Sequence, residues 1–217
     1  MGIIKRGILG GVANKIGNVV GSSWKGIATL RALPLSVANP RTAAQRKNRD
    51  SFSIFSKLGS QVLATVCQPL WNRDAKQMSG FNAYVMYNKR AYDDNIGTWL
   101  ANPIMSKGTL SAPFQSALLS AGNNNITCGW SQTLPNPQDS LDDLAYVQII
   151  HQDNSDPSKP VYDAKGYATG VLRSAGLATV PMIFQPIDGD KLIVSLSFKS
   201  ADGREVATSS TQVITIG

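Results

Sequence analysis

His151 is the only histidine in this 217-residue chain. It sits on a strand-like stretch beside Gln148, Gln152 and Asp153. A Ser/His/Asp relay through it is conceivable, but a histidine on a strand surface is the plainer reading. One imidazole and two distant thiols, Cys67 and Cys128, make a weak zinc set. The thiols form no CxxC pair and lie in apolar stretches, so they read as buried free cysteines. Asp139, Asp142 and Asp143 gather three carboxylates in a loop rich in Pro, Asn and Gln. Their spacing lacks the EF-hand pattern, and a solvated loop explains them as well as calcium would. The nearest approach to a phosphate loop, Gly17-Asn-Val-Val-Gly21-Ser-Ser-Trp-Lys25, lacks the Gly-Lys-Ser/Thr ending and follows no strand of a parallel α/β pattern. These residues assign no catalysis. The chain is expected to be non-enzymatic, with no catalytic, metal or cofactor residues, no cofactor and no small-molecule substrate.

Charge is more informative. Up to Tyr92 there are 14 Lys/Arg against Asp50 and Asp74, a net of +12, whereas from Asp93 onward the net is −5. The basic half includes Lys25, Arg31, Arg41, Arg46, Lys47 and Arg49, all preceding the first acid. These six could neutralise nucleic-acid phosphates, with Trp24 stacking on a base, or could meet an acidic protein surface. The start, MGIIKRGILGG, is interrupted by Lys5, Arg6 and glycines before a secretory apolar core could form, so no signal peptide is expected. Arg6 stands where N-myristoylation needs Ser or Thr. No apolar run is long enough to span a bilayer, so no membrane contact is expected.

The elements that would carry these residues follow from periodicity. Residues 1–38 are expected to form a Gly-rich basic extended arm, because six glycines before Gly26 raise the cost of ordering. A small hairpin is expected within it, Val19 to Ser23 against Ile27 to Ala32. Residues 39–100 read as a helical region. Thr42 and Gln45 have capping-box spacing, Phe52, Phe55, Leu58, Val62 and Val66 line one face, and Pro69 ends the helix. A second helix starts at a Ser79 cap and carries Phe81, Tyr84, Val85 and Asn88, giving an antiparallel helical pair. From about residue 105 the period becomes two, clearest at Leu192, Val194, Leu196 and Phe198. About seven strands, with Trp130 on an early one and no cysteine pair, point to an immunoglobulin/fibronectin type III-like sandwich over 101–217, expected to fold alone from about Ile104. The fold class is thus α+β: an N-terminal extended arm and helical pair followed by an all-β sandwich.

The segments GGVANKIGNVVGSSWKGIATLRALP, NPRTAAQRKNR and SGFNAYVMYN resemble a small family known only as a domain of unknown function, found in bacteria and phage genomes. Its pattern is a GKxGxVVGSSWKG start, an NPRTxAQ helix start and an aromatic-Asn helix, followed by a β-sandwich. The likeness is good over residues 7–92 and holds only in pattern beyond. The chain departs from the pattern at Asn14, where the family more often has a short polar residue or glycine. Similar segments occur in small phage structural proteins, so the resemblance implies a virion component of head, neck or tail. It supplies no catalytic residues.

The expected function is therefore structural assembly. Ile3, Ile8, Leu9, Val12, Val19, Val20 and Trp24 are too apolar for a solvating tail and are expected to bury themselves in a neighbouring subunit. The expected partners are copies of the chain or other structural proteins. Nucleic acid is the alternative partner, bound through the basic half. The expected location is the virion, or the cytoplasm before assembly.

Overall fold

Asn14 and Gly17 both adopt left-handed backbone, at φ 71° and +56°. Glycine enters this region freely, and asparagine tolerates it better than most residues. Between and around them, β2 (Asn14–Ile16) pairs antiparallel with β3 (Val19–Trp24), and β3 with β4 (Ile27–Ala32). β1 (Gly2–Ile4) completes a four-stranded sheet in the order β1-β4-β3-β2. This unit spans Met1–Gln45, and a second spans Arg46–Gly217. The computed structural model describes all residues except 1, 5–13, 25–26, 37–40, 73–74, 76, 121–123, 157–159 and 217, and describes only the backbone at 2–4, 23–24 and 27–28.

The expected hairpin is present, but the expected extended arm is corrected: residues 2–4 and 14–16 are strands flanking that hairpin. The entropy cost of glycine is hardest to offset in a lone strand. In a sheet, each added strand satisfies main-chain groups on its neighbour and shares the ordering cost.

The Thr42 hydroxyl accepts a hydrogen bond from the Gln45 amide (3.3 Å), just ahead of α1 (Ala43–Gln61). The helix does not end at Pro69 as expected. A π-helical turn, Leu63–Cys67, follows α1 and leads into α2 (Gln68–Trp71). The wider turn lets Pro69 sit in the first turn of a new helix, where its missing N–H leaves no bond broken. Ser79 caps α3 (Gly80–Asp94) by accepting from the Asn82 amide (3.3 Å), and Asn95 caps α4 (Ile96–Ala101) by accepting from Thr98 (3.2 Å).

Seven strands follow: β5 (Phe114–Leu119), β6 (Asn125–Trp130), β7 (Leu144–Asp153), β8 (Val161–Leu172), β9 (Leu177–Pro181), β10 (Lys191–Lys199) and β11 (Ser210–Thr215). They form an antiparallel four-stranded sheet, β11-β10-β7-β8, and a three-stranded sheet, β5-β6-β9. Ile126, Cys128, Trp130, Val147, Ile149, Val194 and Phe198 share one core, so the two sheets face each other in a sandwich-like arrangement. The other face of the four-stranded sheet is not solvated. Ile150, Tyr162, Ala164 and Ile193 share a second core with Phe55, Leu58, Val66, Tyr84 and Trp99 of the helices. The layers are therefore helices, four strands and three strands. The expected division at residue 100 runs through a shared core.

Asn88 ties the helical layer together. Its side-chain oxygen accepts from the Trp99 indole (3.0 Å) and the Ile104 amide (2.9 Å), while its amide donates to the carbonyls of Ile104 (2.7 Å) and Tyr84 (3.1 Å). Gln148 on β7 reaches across to donate to the Tyr84 hydroxyl (2.8 Å). The π-helical turn then lies so close to β8 that a Cβ on Gly166 would stand 2.3 Å from Thr65 Oγ1 and 2.8 Å from Val66 Cγ2. Both neighbours are stiff β-branched side chains on that turn, so Gly166→Ala is expected to cost about 1–3 kcal/mol. Denaturant unfolding checks this, and an unchanged midpoint would show that the turn can withdraw.

Candidate functional site

Strand pairing in the N-terminal sheet sorts its residues by face. Asn14, Ile16, Val19, Gly21, Leu30 and Ala32 fall on one face, without a charge among them. Lys15, Val20, Ser22, Thr29 and Arg31 fall on the other, where the Ser22 and Thr29 hydroxyls hydrogen-bond at 3.0 Å. Part of the uncharged face is exposed: Ile16 is 60% exposed and Val19 37%. Leu35, just past β4, is fully exposed. A small sheet that is charged on one side and apolar on the other normally buries the apolar side.

The expected assembly residues are distributed as follows. Val19 is exposed and Val20 half-buried on opposite faces of β3, while Ile3 and Trp24 hold register positions opposite Thr29 and Ile27. Ile8, Leu9 and Val12 lie outside the described residues, as does Lys25. Of the remaining basic residues, Arg31 is exposed on β4, and Arg41, Arg46, Lys47 and Arg49 are exposed at and after the start of α1. Ile16, Leu30 and Leu35 belong with the apolar set by placement. Strict alternation within 14–22 and 27–32 was the signal that could have sorted them by face.

The acidic loop has a different role from the solvated one expected. Asp139 and Asp143 are buried, and both turn toward Arg173, which is fully buried in the short 3₁₀ turn Arg173–Ala175. The Arg173 guanidinium lies 3.4 Å from Asp139 and 3.3 Å from Asp143, donates to the Ser111 carbonyl (2.7 Å), and stacks 4.2 Å over the Phe198 ring. Burial opposes the charge of Asp139, but hydrogen bonds from the Ser111 hydroxyl (2.5 Å) and amide (2.9 Å) outweigh it and hold the carboxyl below its ordinary range. Asp143 goes the other way. Burial raises it past what the Ser140 amide and Arg173 restore. The cluster braces the turn above Trp130, whose indole donates to the Arg173 carbonyl (2.8 Å). Nothing in the sequence around Arg173 signals its burial.

His151 is also bracing. Its Nε2 is 2.8 Å from the Asp190 carboxylate, and its ring stacks on Phe184 at 5.3 Å. Burial works against the Asp190 charge, yet amide hydrogen bonds from Asn154 (2.9 Å) and Ile187 (3.0 Å), with His151, hold its carboxyl low. The pair fastens the 182–190 connection to β7. Cys67 and Cys128 are buried free thiols, each pushed up to about 12 by burial, so neither is a ready nucleophile at neutral pH. Among the described residues there is no group of three or more His, Cys, Asp or Glu side chains placed to hold a metal, and no helix is long and apolar enough to cross a membrane.

A model of the family of unknown function DUF6266 matches residues 9–212. No curated protein matches significantly.

Proposed function

We infer that this chain, which belongs to that family of unknown function over nearly its whole length, is a non-enzymatic assembly protein that docks the uncharged face of its N-terminal sheet on a neighbouring subunit. The observation that carries this is the exposed apolar row of Ile16 and Val19 beside Leu30 and Ala32 on a sheet whose other face holds Lys15 and Arg31. Burying such a face on a partner is favourable at about 25 cal/mol per Å². The likeness of the NPRTxAQ and aromatic-Asn segments to small phage structural proteins supports a phage particle as the assembly. An immunoglobulin/fibronectin type III-like sandwich is supported by the order of the seven strands: first, second and fifth in one sheet, and seventh, sixth, third and fourth in the other. It differs from an immunoglobulin constant domain in the sheet that takes the fourth strand.

Deleting residues 1–38 should leave the Tm of the free protein within about 4 °C, because both described apolar cores are built from residues beyond it. The same deletion should abolish incorporation into the particle or oligomer. A truncated chain that assembles normally overturns the docking role. The exposed positions Arg41, Arg46 and Lys47 favour the second reading, contact with nucleic acid. Binding to unrelated duplexes whose salt slope falls by about one for each of these residues neutralised would support it.

A further inference from the structure

The helical layer carries a groove of about 350 Å³ lined by Trp71, Ala75, Met78, Met86 and Tyr87, with Lys107 at one end. Trp71 and Tyr87 stack at 5.3 Å, and the Lys107 ammonium stands 5.1 Å from the Tyr87 ring centre. Met78 and Met86, 39% and 44% exposed, form the walls. Tyr87 and Lys107 also line an adjoining hollow of about 240 Å³ with Ile104 and Ser209, so the depression continues past them. Methionine walls on an aromatic floor suit an aliphatic side chain, and the exposed ammonium adds a preference for an acid beside it.

The 182–190 connection presents that chemistry. Ile183 and Ile187 are each 56% exposed, and Asp188 next to Ile187 is exposed too. The segment is preorganised. Phe184 stacks on His151, the Ile187 amide donates to Asp190 (3.0 Å), the Asp190 amide donates to the Ile187 carbonyl (3.0 Å), and Gly189 turns the chain at φ +92°. A loop already fixed in shape loses little entropy on docking.

The connection and the groove lie toward opposite ends of β10. The connection leads into Lys191, while Ser106, beside Lys107, hydrogen-bonds Ser197 (2.6 Å) near the far end. The separation along the strand is about 20 Å, so one copy cannot fill its own groove with this loop. The geometry points to a head-to-tail interface between copies of this chain, with Ile187 of one copy in the methionine-walled groove of the next and Asp188 paired with Lys107. Such an interface uses two different surfaces, so it propagates into a ring or a filament. It lies within the second unit and does not rest on the N-terminal sheet.

Sedimentation velocity on the full chain tests it. The wild-type chain should show mass rising with concentration beyond a dimer. Met86→Lys and Ile187→Lys, both at exposed positions, should each weaken association by about tenfold or more while leaving the circular dichroism melt unchanged. Mixed together, the two variants should form a one-to-one heterodimer through this interface, since each retains the half the other lacks. Lys107→Glu should weaken association, and adding Asp188→Lys should restore part of it. A wild-type chain that stays monomeric, a single variant that associates normally, or a mixture with no heterodimer overturns the interface. The 1–38 deletion reads only the N-terminal sheet, so failure of that docking role and failure of this interface remain distinguishable.

Discussion

Arg173→Met should destabilise the protein by about 3–5 kcal/mol, because it removes the cation that lies beside two buried carboxylates and leaves them without that counter-charge. The size of the loss should depend on pH. In the native chain the Asp139 carboxyl is held low, so its contribution is present at neutral pH and lost as pH falls through its folded pKa. Asp143, raised by burial, acts in the opposite sense. Without the guanidinium, Asp143 rises further, while the Ser111 hydrogen bonds continue to oppose burial at Asp139. The folded variant therefore takes up a proton at Asp143 before the unfolded chain does, and its loss relative to the native chain should be smaller at about pH 5 than at about pH 7. Urea unfolding at the two pH values measures this. A loss below about 1 kcal/mol, or the same loss at both pH values, would mean that water reaches the carboxylates.

The second large effect concerns a chain begun at Ile104. Periodicity alone predicts that such a fragment folds by itself. The packing argues for the opposite outcome: removing the helices uncovers Ile150, Ile193, Tyr162 and Ala164, all at least 95% buried, and strips Gln148 of the Tyr84 hydroxyl. Each large apolar side chain so exposed costs about 1.5–3 kcal/mol, against a total stability of about 5–15 kcal/mol for a domain. The fragment should bind a hydrophobic dye and lack a sigmoidal thermal transition. A cooperative melt near that of the full chain would show that the sandwich stands without its helices.

That contrast shows what the sequence made legible and what it did not. Period-two alternation at Leu192–Phe198 correctly placed one face of β10 inward. The intervening Ile193, Ser195 and Ser197 do not declare what lies above them, because serine is small and suits water or a packed neighbour alike. In the fold, Ile193 packs under the helices and Ser197 meets Ser106 in a buried hydroxyl pair. Small polar residues on a strand therefore left open whether water or a helix lay above them. The capping residues Thr42 and Ser79 were readable because a cap is local. Arg173 was not, since both of its acid partners lie 30 or more residues away in sequence. The SGFNAYVMYN segment includes residues with architectural roles. Gly80 is pressed against the Cys67 carbonyl, where a Cβ would come within 2.3 Å, and Asn88 bridges Trp99 and Ile104. The apolar residues of the N-terminal segment are legible as composition but not as a face, because only strand pairing sorts them by side.

β7 and β10 have one side toward the helices and the other toward the three-stranded sheet, and each is flanked by a strand on both edges. No fraying route reaches their central amides without parting two layers at once. Amide hydrogen exchange at Val147 to Ile150 and Ile193 to Leu196 should therefore proceed only through global opening, at one shared rate, while the strands of the N-terminal sheet exchange far sooner. The two central strands then behave as a timer for the whole second unit: no protease or unfolding chaperone can gain a hold on them before the entire unit has come apart.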